Sequence, residues 1–417
     1  TTNPVIVIPG ILGTRLEDPN TGAVVWGAFA PETAGPSTPE GARLIAHPLA
    51  TDGVLSSHRD SVEAAGVLDR LEVRLGWLPI QLDAYRQILL TLGAGGYRDE
   101  ELGEAGAVDY GDEHYTCFQF PYDWRRDNVE SAQALHTFIQ DVREYVAEQR
   151  LQRFGTRGEP VRVHVVAHSM GGLVARYYMR YGAAPLPADG ATPEVTWAGA
   201  QHVDRVVLVA TPNAGSAQAL IQLAEGIRFA PFLPRYSAGL LGTFPSLYQL
   251  LPRPRHGAYL AASTGTPLGA ELYDPQLWQA NGWGAAALTP QQRAWLVPGH
   301  VAAEADAAVA THLAACLARA EQFHRALDQP AEPPPNMRLH LIAGDAVPTA
   351  ATLRVTEAGA VEVSSEAPGD GTVLRSSALL DERMGQTWQP RVRTPIDWQQ
   401  VTFLFTDHLG LTSDPAF

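Results

Sequence analysis

Lysine is missing from this chain: all 30 basic residues are arginine. Schiff-base chemistry and a P-loop lysine are therefore excluded together. Cysteine is nearly missing too. Cys117 and Cys316 are the only two, far apart in sequence, and read as two buried thiols or one long-range disulfide. No Cys/His cluster has zinc-site spacing, and neither a metal nor an organic cofactor is expected. No apolar run reaches the roughly 18 residues of a membrane span. Positive charge is in deficit, with a formal net charge of −15. Nucleic acid and anionic bilayers are thus poor electrostatic partners, leaving at most peripheral contact with a lipid surface. Strand-like sequence begins almost at the first residue, so no signal peptide is read, which leans towards a cytoplasmic protein; a cleaved precursor would look the same. What remains is a globular composition, 45% hydrophobic and 18% charged over 417 residues. It suits one large domain with insertions or two ordinary ones.

The most informative stretch is Val161 to Tyr178. Val161, Val163, Val165 and Val166 form a β-branched strand ending at Ala167. After Gly171 and Gly172 the apolar spacing becomes helical, through Leu173, Val174, Tyr177 and Tyr178. Ser169 thus falls on a tight strand-to-helix turn, with its hydroxyl outward and the N–H of Met170 aimed at whatever the hydroxyl attacks. This is a nucleophile elbow, with Ala167 in place of the usual first glycine.

Around it the chain alternates strand and helix. Asn3–Ile8 reads as a strand followed by the loop Pro9-Gly10-Ile11-Leu12-Gly13. Residues 27–61 read as an irregular surface excursion at the substrate entrance. Pro79–Leu92 reads as a helix with proline in its first turn. His114–Phe120 is strand-like, a long amphipathic helix runs from Val129 to Val146, and Val203–Ala210 is a further strand. This order implies a mostly parallel sheet with helices on both faces, an α/β fold of the α/β-hydrolase kind. Residues 1–215 and 335–417 then form the core, and 216–334 an inserted cap. Within the cap, the aromatic, proline-rich 227–254 reads as a lid segment, and Ala302–Leu327 as a helix. Leu339–Ala343 is strand-like, Leu353–Val363 resembles a hairpin, and a last strand, Val401–Phe405, leads to Asp407-His408.

Serine needs a base. His408 follows the last strand and comes last in chain order, as the base should. His168 adjoins Ser169, but the elbow turns neighbouring side chains apart, so it is set aside. Asp345 and Asp370 compete to orient the base, and spacing does not separate them. The amides of Ile11 and Met170 are the oxyanion-hole candidates. Leu12 and Leu409 beside these groups, with Asp123, Trp124, Phe229 and Phe232, are candidates for the substrate pocket. Asp123 and Trp124 read equally well as a buried ion pair and a packing group.

The pieces Pro9-Gly10-Ile11-Leu12-Gly13-Thr14-Arg15-Leu16-Glu17, Tyr122-Asp123-Trp124-Arg125, His168-Ser169-Met170-Gly171-Gly172, Thr211-Pro212, Gly369-Asp370-Gly371-Thr372-Val373 and His408 carry a resemblance. In order and over nearly the whole chain, they resemble the lecithin:cholesterol acyltransferase family, which includes lysosomal phospholipase A2, plant acyltransferases and bacterial homologues. The resemblance implies Asp370 as the acid, with Asp345 in reserve, and Ile11 and Met170 as oxyanion donors. It also implies that Asp123 and Trp124 line an acyl pocket. The chain departs from the animal members in lacking the cysteine pair within 27–61 and a second structural disulfide. The function expected is a serine hydrolase of lipid-like carboxylic esters. Acyl transfer to an alcohol, lactone hydrolysis and a non-catalytic binding protein on the same fold are the alternatives. Acyl length, head group and oligomeric state are not written in the sequence.

Overall fold

The computed structural model describes all residues except 1, 2, 30–32, 69, 76, 77, 84, 102–113, 230–232, 262, 263, 384–392 and 415. Six strands form the central sheet: β1 (Val5–Ile8), β2 (Cys117–Gln119), β3 (Val163–His168), β4 (Val203–Val209), β5 (Arg338–Gly344) and β6 (Trp398–Leu404). They lie in the order β2-β1-β3-β4-β5-β6, every neighbouring pair parallel. Parallel strands covered on both faces need near-continuous apolar runs. The VIVI of β1, wholly buried, is such a run.

The strand order reverses between β1 and β3. Loops leaving the two strands there diverge, which opens a crevice at their carboxyl ends, the usual ligand position in open α/β sheets. Ser169 follows β3, and the loop 9–13 follows β1. The topology alone therefore brings these two sequence-distant segments face to face.

Helix α1 (Asn128–Phe154) buries Val129, Ala132, Leu135, Ile139, Val142 and Val146, one stripe at helical spacing. The Asp127 side chain caps its start, and Gly155, at φ 73°, ends it. Helix α2 (Met170–Tyr181) is buried on every side. Its polar side chains are occupied at the end of helix α3 (Ala302–Asp328), whose last carbonyls lack helical partners. Arg176 donates to the carbonyl of Leu327 at 2.9 Å and Tyr181 to that of Ala326 at 2.8 Å. One continuous apolar cluster runs from β1 through α1 and α2 into residues 210–337 and the hairpin of Val347–Val355 with Val361–Gly369. Trp283, fully buried, ties the two by donating to the Gly359 carbonyl at 2.7 Å. Both cysteines are buried free thiols. No helix among the described residues is long and apolar enough to cross a membrane.

Two expectations need correction. Residues 78–83 form a strand paired antiparallel with 70–75, and the helix starts only at Arg86. The apolar residues Leu78, Ile80 and Leu82 also fit a period of two, and pairing with a neighbouring strand selects that reading over the helical one. The described part of residues 27–61 is not a surface excursion. Ala42, Ile45, Leu49, Ala50 and Leu55 belong to the main core, and Pro39–Ile45 is a helix capped by Thr38. Proline and glycine punctuate the segment without keeping its apolar side chains in water.

Candidate active site

Ser169 has φ 52° and ψ −126°, a conformation that non-glycine residues rarely adopt and that costs about 1–3 kcal/mol. Its neighbours enforce it. The Ser169 amide donates to the Val209 carbonyl at the end of β4 at 2.8 Å. Any Cβ on Gly171 would lie 2.3 Å from the Pro9 carbonyl oxygen, and one on Gly172 would lie 1.9 Å from Thr211 Oγ1. The start of α2 is therefore wedged between the loops after β1 and β4, where only glycine fits.

His408, in the turn after β6, places Nε2 3.0 Å from Ser169 Oγ and Nδ1 2.8 Å from Asp370 Oδ2. Its amide donates to the Asp370 carbonyl at 2.9 Å. Asp370 is 2% exposed, and its other carboxylate oxygen accepts the amides of Thr372 at 2.9 Å and Val373 at 2.6 Å. Burial pushes the Asp370 pKa upward. The charge of His408, its hydrogen bond and the two amides outweigh that and hold the carboxyl below its ordinary range. Asp345 lies elsewhere, paired with Arg375 at 3.1 Å. Hydrogen bonding thus joins residues 169, 408 and 370 and leaves 345 out.

The loop after β1 closes on this trio from the other side. A Cβ on Gly10 would lie 2.8 Å from Ser169 Cβ, so backbone meets nucleophile with nothing between. Among the hydrogen bonds of the described residues, none takes up the amides of Ile11 or Met170. The two amides belong to the loop after β1 and to the first residue of α2, directly after Ser169. Leu12 is held at φ 66°, and its carbonyl accepts from Trp26 Nε1 at 2.7 Å. Tyr122 donates to the Pro9 carbonyl at 2.9 Å.

From Ile11 and Leu12 an apolar cavity runs inward, walled by Leu16, Trp26, Trp124, Phe229, Tyr236 and Phe244 among others. Its volume is about 60 Å³, several times the ~10–15 Å³ that one water needs. Trp124 lines it while donating to the Thr14 carbonyl at 3.0 Å. Phe229 packs over Trp26 with ring centroids 5.2 Å apart. Three other pocket candidates fare differently. Asp123 is drawn away by its paired hydrogen bonds to the guanidinium of Arg125, at 2.9 and 2.8 Å. Leu409 is 57% exposed and outside the cavity wall. Phe232 lies outside the described residues. Conversely, Trp26 and Tyr85 hold this site together and carried no pattern in the sequence, while Tyr122 and His168 stood in the motif pieces with no role assigned to them. Only the adjacency of His168 to Ser169 pointed to a role.

The sequence model of the family "lecithin:cholesterol acyltransferase" matches residues 105–267, a span that holds the elbow and Trp124 but neither Asp370 nor His408. No curated protein matches the chain. Among solved structures, the Tle4–Tli4 complex contains a chain superposing with a TM-score of 0.59 at 16% identity. That match covers 99% of this chain and 95% of the other, and at this identity it speaks for the fold alone. EstA from Clostridium botulinum aligns at 12% identity over 99% of this chain and 83% of its own, with a TM-score of 0.34, too low to carry an argument. The chain has the α/β-hydrolase fold, and across residues 105–267 it is similar to the lecithin:cholesterol acyltransferase family.

Proposed function

We propose that the protein cleaves carboxylic esters with lipid-like acyl groups through an acyl-enzyme on Ser169. The observation that carries this is the hydrogen-bonded line from Asp370 through His408 to Ser169 Oγ, which meets the loop whose Ile11 and Leu12 line an apolar cavity. With Asp370 accepting from Nδ1–H, the lone pair of His408 Nε2 faces the serine hydroxyl. Ser169 attacks the ester carbonyl as His408 takes its proton, and the amides of Ile11 and Met170 receive the negative charge on the oxygen. His408, now an imidazolium stabilised by Asp370, protonates the departing alcohol. Water then attacks the acyl carbonyl as His408 takes its proton, and His408 passes that proton to Ser169 Oγ as the C–O bond to serine breaks and the acid leaves.

The aromatic and aliphatic cavity would take the acyl chain, with Leu12 and Trp124 at its walls. In this reading residues 216–334 are the cap: Ile227, Phe229, Tyr236, Leu241, Phe244 and Leu247 supply one side of the cavity. Exposed Phe405 and Leu409 flank His408 in the chain and suit a substrate presented from a lipid surface. An alcohol in place of water in the second step makes the same site an acyltransferase, as the name of the matching family suggests.

Ser169→Ala tests the reading. Turnover of p-nitrophenyl esters should fall by about 10⁶, as when the nucleophile of a comparable triad is removed, with the unfolding transition unchanged. Fluorophosphonate should label the wild type at Ser169 and leave the variant unlabelled. Wild-type turnover in the variant would refute the assignment. An ester chain-length series, run below and above the aggregation limit and with an alcohol acceptor, identifies the acyl length and the acceptor.

A further inference from the structure

Two buried polar side chains lie between the halves of the site and take no part in the chemistry just described: Tyr85 and His168. The Gly10 amide donates to the Tyr85 hydroxyl at 2.8 Å. That hydroxyl lies 3.0 Å from His168 Nδ1, and His168 Nε2 lies 3.2 Å from the carbonyl oxygen of His408. The directions follow from the ends. An amide can only donate, so the Tyr85 oxygen accepts from Gly10 and gives its own proton to Nδ1. Nε2 then carries the ring proton and donates to the carbonyl. The opposite tautomer would set the Nε2 lone pair against the carbonyl oxygen.

The chain of bonds therefore starts in the oxyanion loop and ends on the backbone of the base. At that far end it completes a set of four. The His408 amide is held by the Asp370 carbonyl, its ring by Asp370 and Ser169, and its carbonyl by His168. Loop 9–13 is also held by Tyr122 on the Pro9 carbonyl, by Trp26 on the Leu12 carbonyl and by the packing of Ile11 and Leu12 on the core. Of its side-chain bonds, the one to Tyr85 leads on to the base, through His168, and the ring of Tyr85 also meets the loop closely: a Cβ on Gly13 would lie 2.6 Å from it. Burial, with the His408 charge adding to it, pushes the His168 pKa down to about 3. The ring thus stays neutral when His408, 4.9 Å away between ring centres, takes up a proton.

We infer that Tyr85 and His168 are positioning residues, a strut that keeps the oxyanion donors in register with the base. The inference rests on the acyl-enzyme reading above. The test uses the full-length protein, a p-nitrophenyl ester, and fluorophosphonate titration of active sites, so that kcat refers to competent sites only. Tyr85→Phe and His168→Leu should each lower kcat 10- to 100-fold with KM within threefold of wild type. The double variant should fall no more than threefold below the worse single, because a strut broken once transmits nothing. His168→Gln, which keeps a donor and an acceptor, should recover at least fivefold over His168→Leu. Packing alone would lower stability and the titratable fraction without lowering kcat per site. Single variants within threefold of wild type, losses that multiply in the double, or no recovery with glutamine would each overturn the strut. Should His168→Leu not fold, Tyr85→Phe, which removes one oxygen atom, decides alone by the same threefold limit. An unlabelled, inactive wild type would instead overturn the acyl-enzyme reading, and the strut with it.

Discussion

Acid should unfold this protein well before its carboxylates protonate, because four histidines are buried in neutral form: His47, His168, His312 and His324. Burial leads in each case. It lowers His168 and His324 to about 3, His312 to about 4, and His47 well below its ordinary value. The hydrogen bonds agree. His312 Nδ1 accepts the Ala50 amide at 3.0 Å while Nε2 reaches the Thr243 carbonyl at 3.0 Å, so a second ring proton would face a donor. These pKa values are lower in the folded than in the unfolded chain, where histidine titrates near ~6.5. The unfolded chain therefore binds more protons, and the stabilisation is complete above about pH 6.5 and is lost as pH falls towards the folded values. Between pH 7 and pH 5 His168, His312 and His324 each cost about 2 kcal/mol, about 6 kcal/mol together, against a typical total of roughly 5–15 kcal/mol, and His47 acts in the same direction. Urea unfolding followed by tryptophan fluorescence measures this directly. The stability slope between pH 4.5 and 5.5 should approach three protons or more, about 4 kcal/mol per pH unit for three, and His312→Gln should remove one of them. A slope of one proton or less would refute the reasoning.

Three further outcomes follow from the site. Asp370→Asn, which leaves His408 in the wrong tautomer, should lower kcat by about 10⁴, whereas Asp345→Asn should stay within a few-fold in the same ester assay; equal losses would mean that residue 345 acts. Gly10→Ala adds a Cβ that would sit 2.8 Å from Ser169 Cβ. It should displace the oxyanion loop and cost kcat about 10²–10³, read as a slower fluorophosphonate reaction with little change in Tm. Leu241→Phe, placed in the cavity wall, should cut kcat/KM for long-chain esters by at least about tenfold relative to acetyl esters; an unchanged chain-length profile would put the acyl chain elsewhere.

Local pattern carried the elbow, the six sheet strands and the two long helices, because each is written in contiguous residues. Val163, Val165, Val166 and Ala167 are apolar whatever surrounds them, and Gly171 and Gly172 after Ser169 let α2 start against the neighbouring loops. Chain order placed His408 for the same reason: it follows the last sheet strand. Where two periodicities fitted, as in 78–83, local pattern could not choose, and pairing with residues 70–75 chose instead.

The acid shows the boundary most clearly. Asp345 directly follows a strand-like stretch, Asp370 sits between two glycines in the loop before the last strand, and spacing does not separate them. Only the turn after β6 decides between them, by setting the His408 ring on residue 370 while Arg375 occupies residue 345. Asp123 and Trp124 adjoin in sequence, yet one is bound to Arg125 and the other lines the cavity. Tyr85 and His168, 83 residues apart, share no motif. Their contact exists because the sheet reverses its order between β1 and β3 and folds the two loops together. Sequence by itself determined which groups are present and which strands carry them. The tertiary structure decided which donor meets which acceptor, since hydrogen bonds depend on distances and directions that only long-range packing sets.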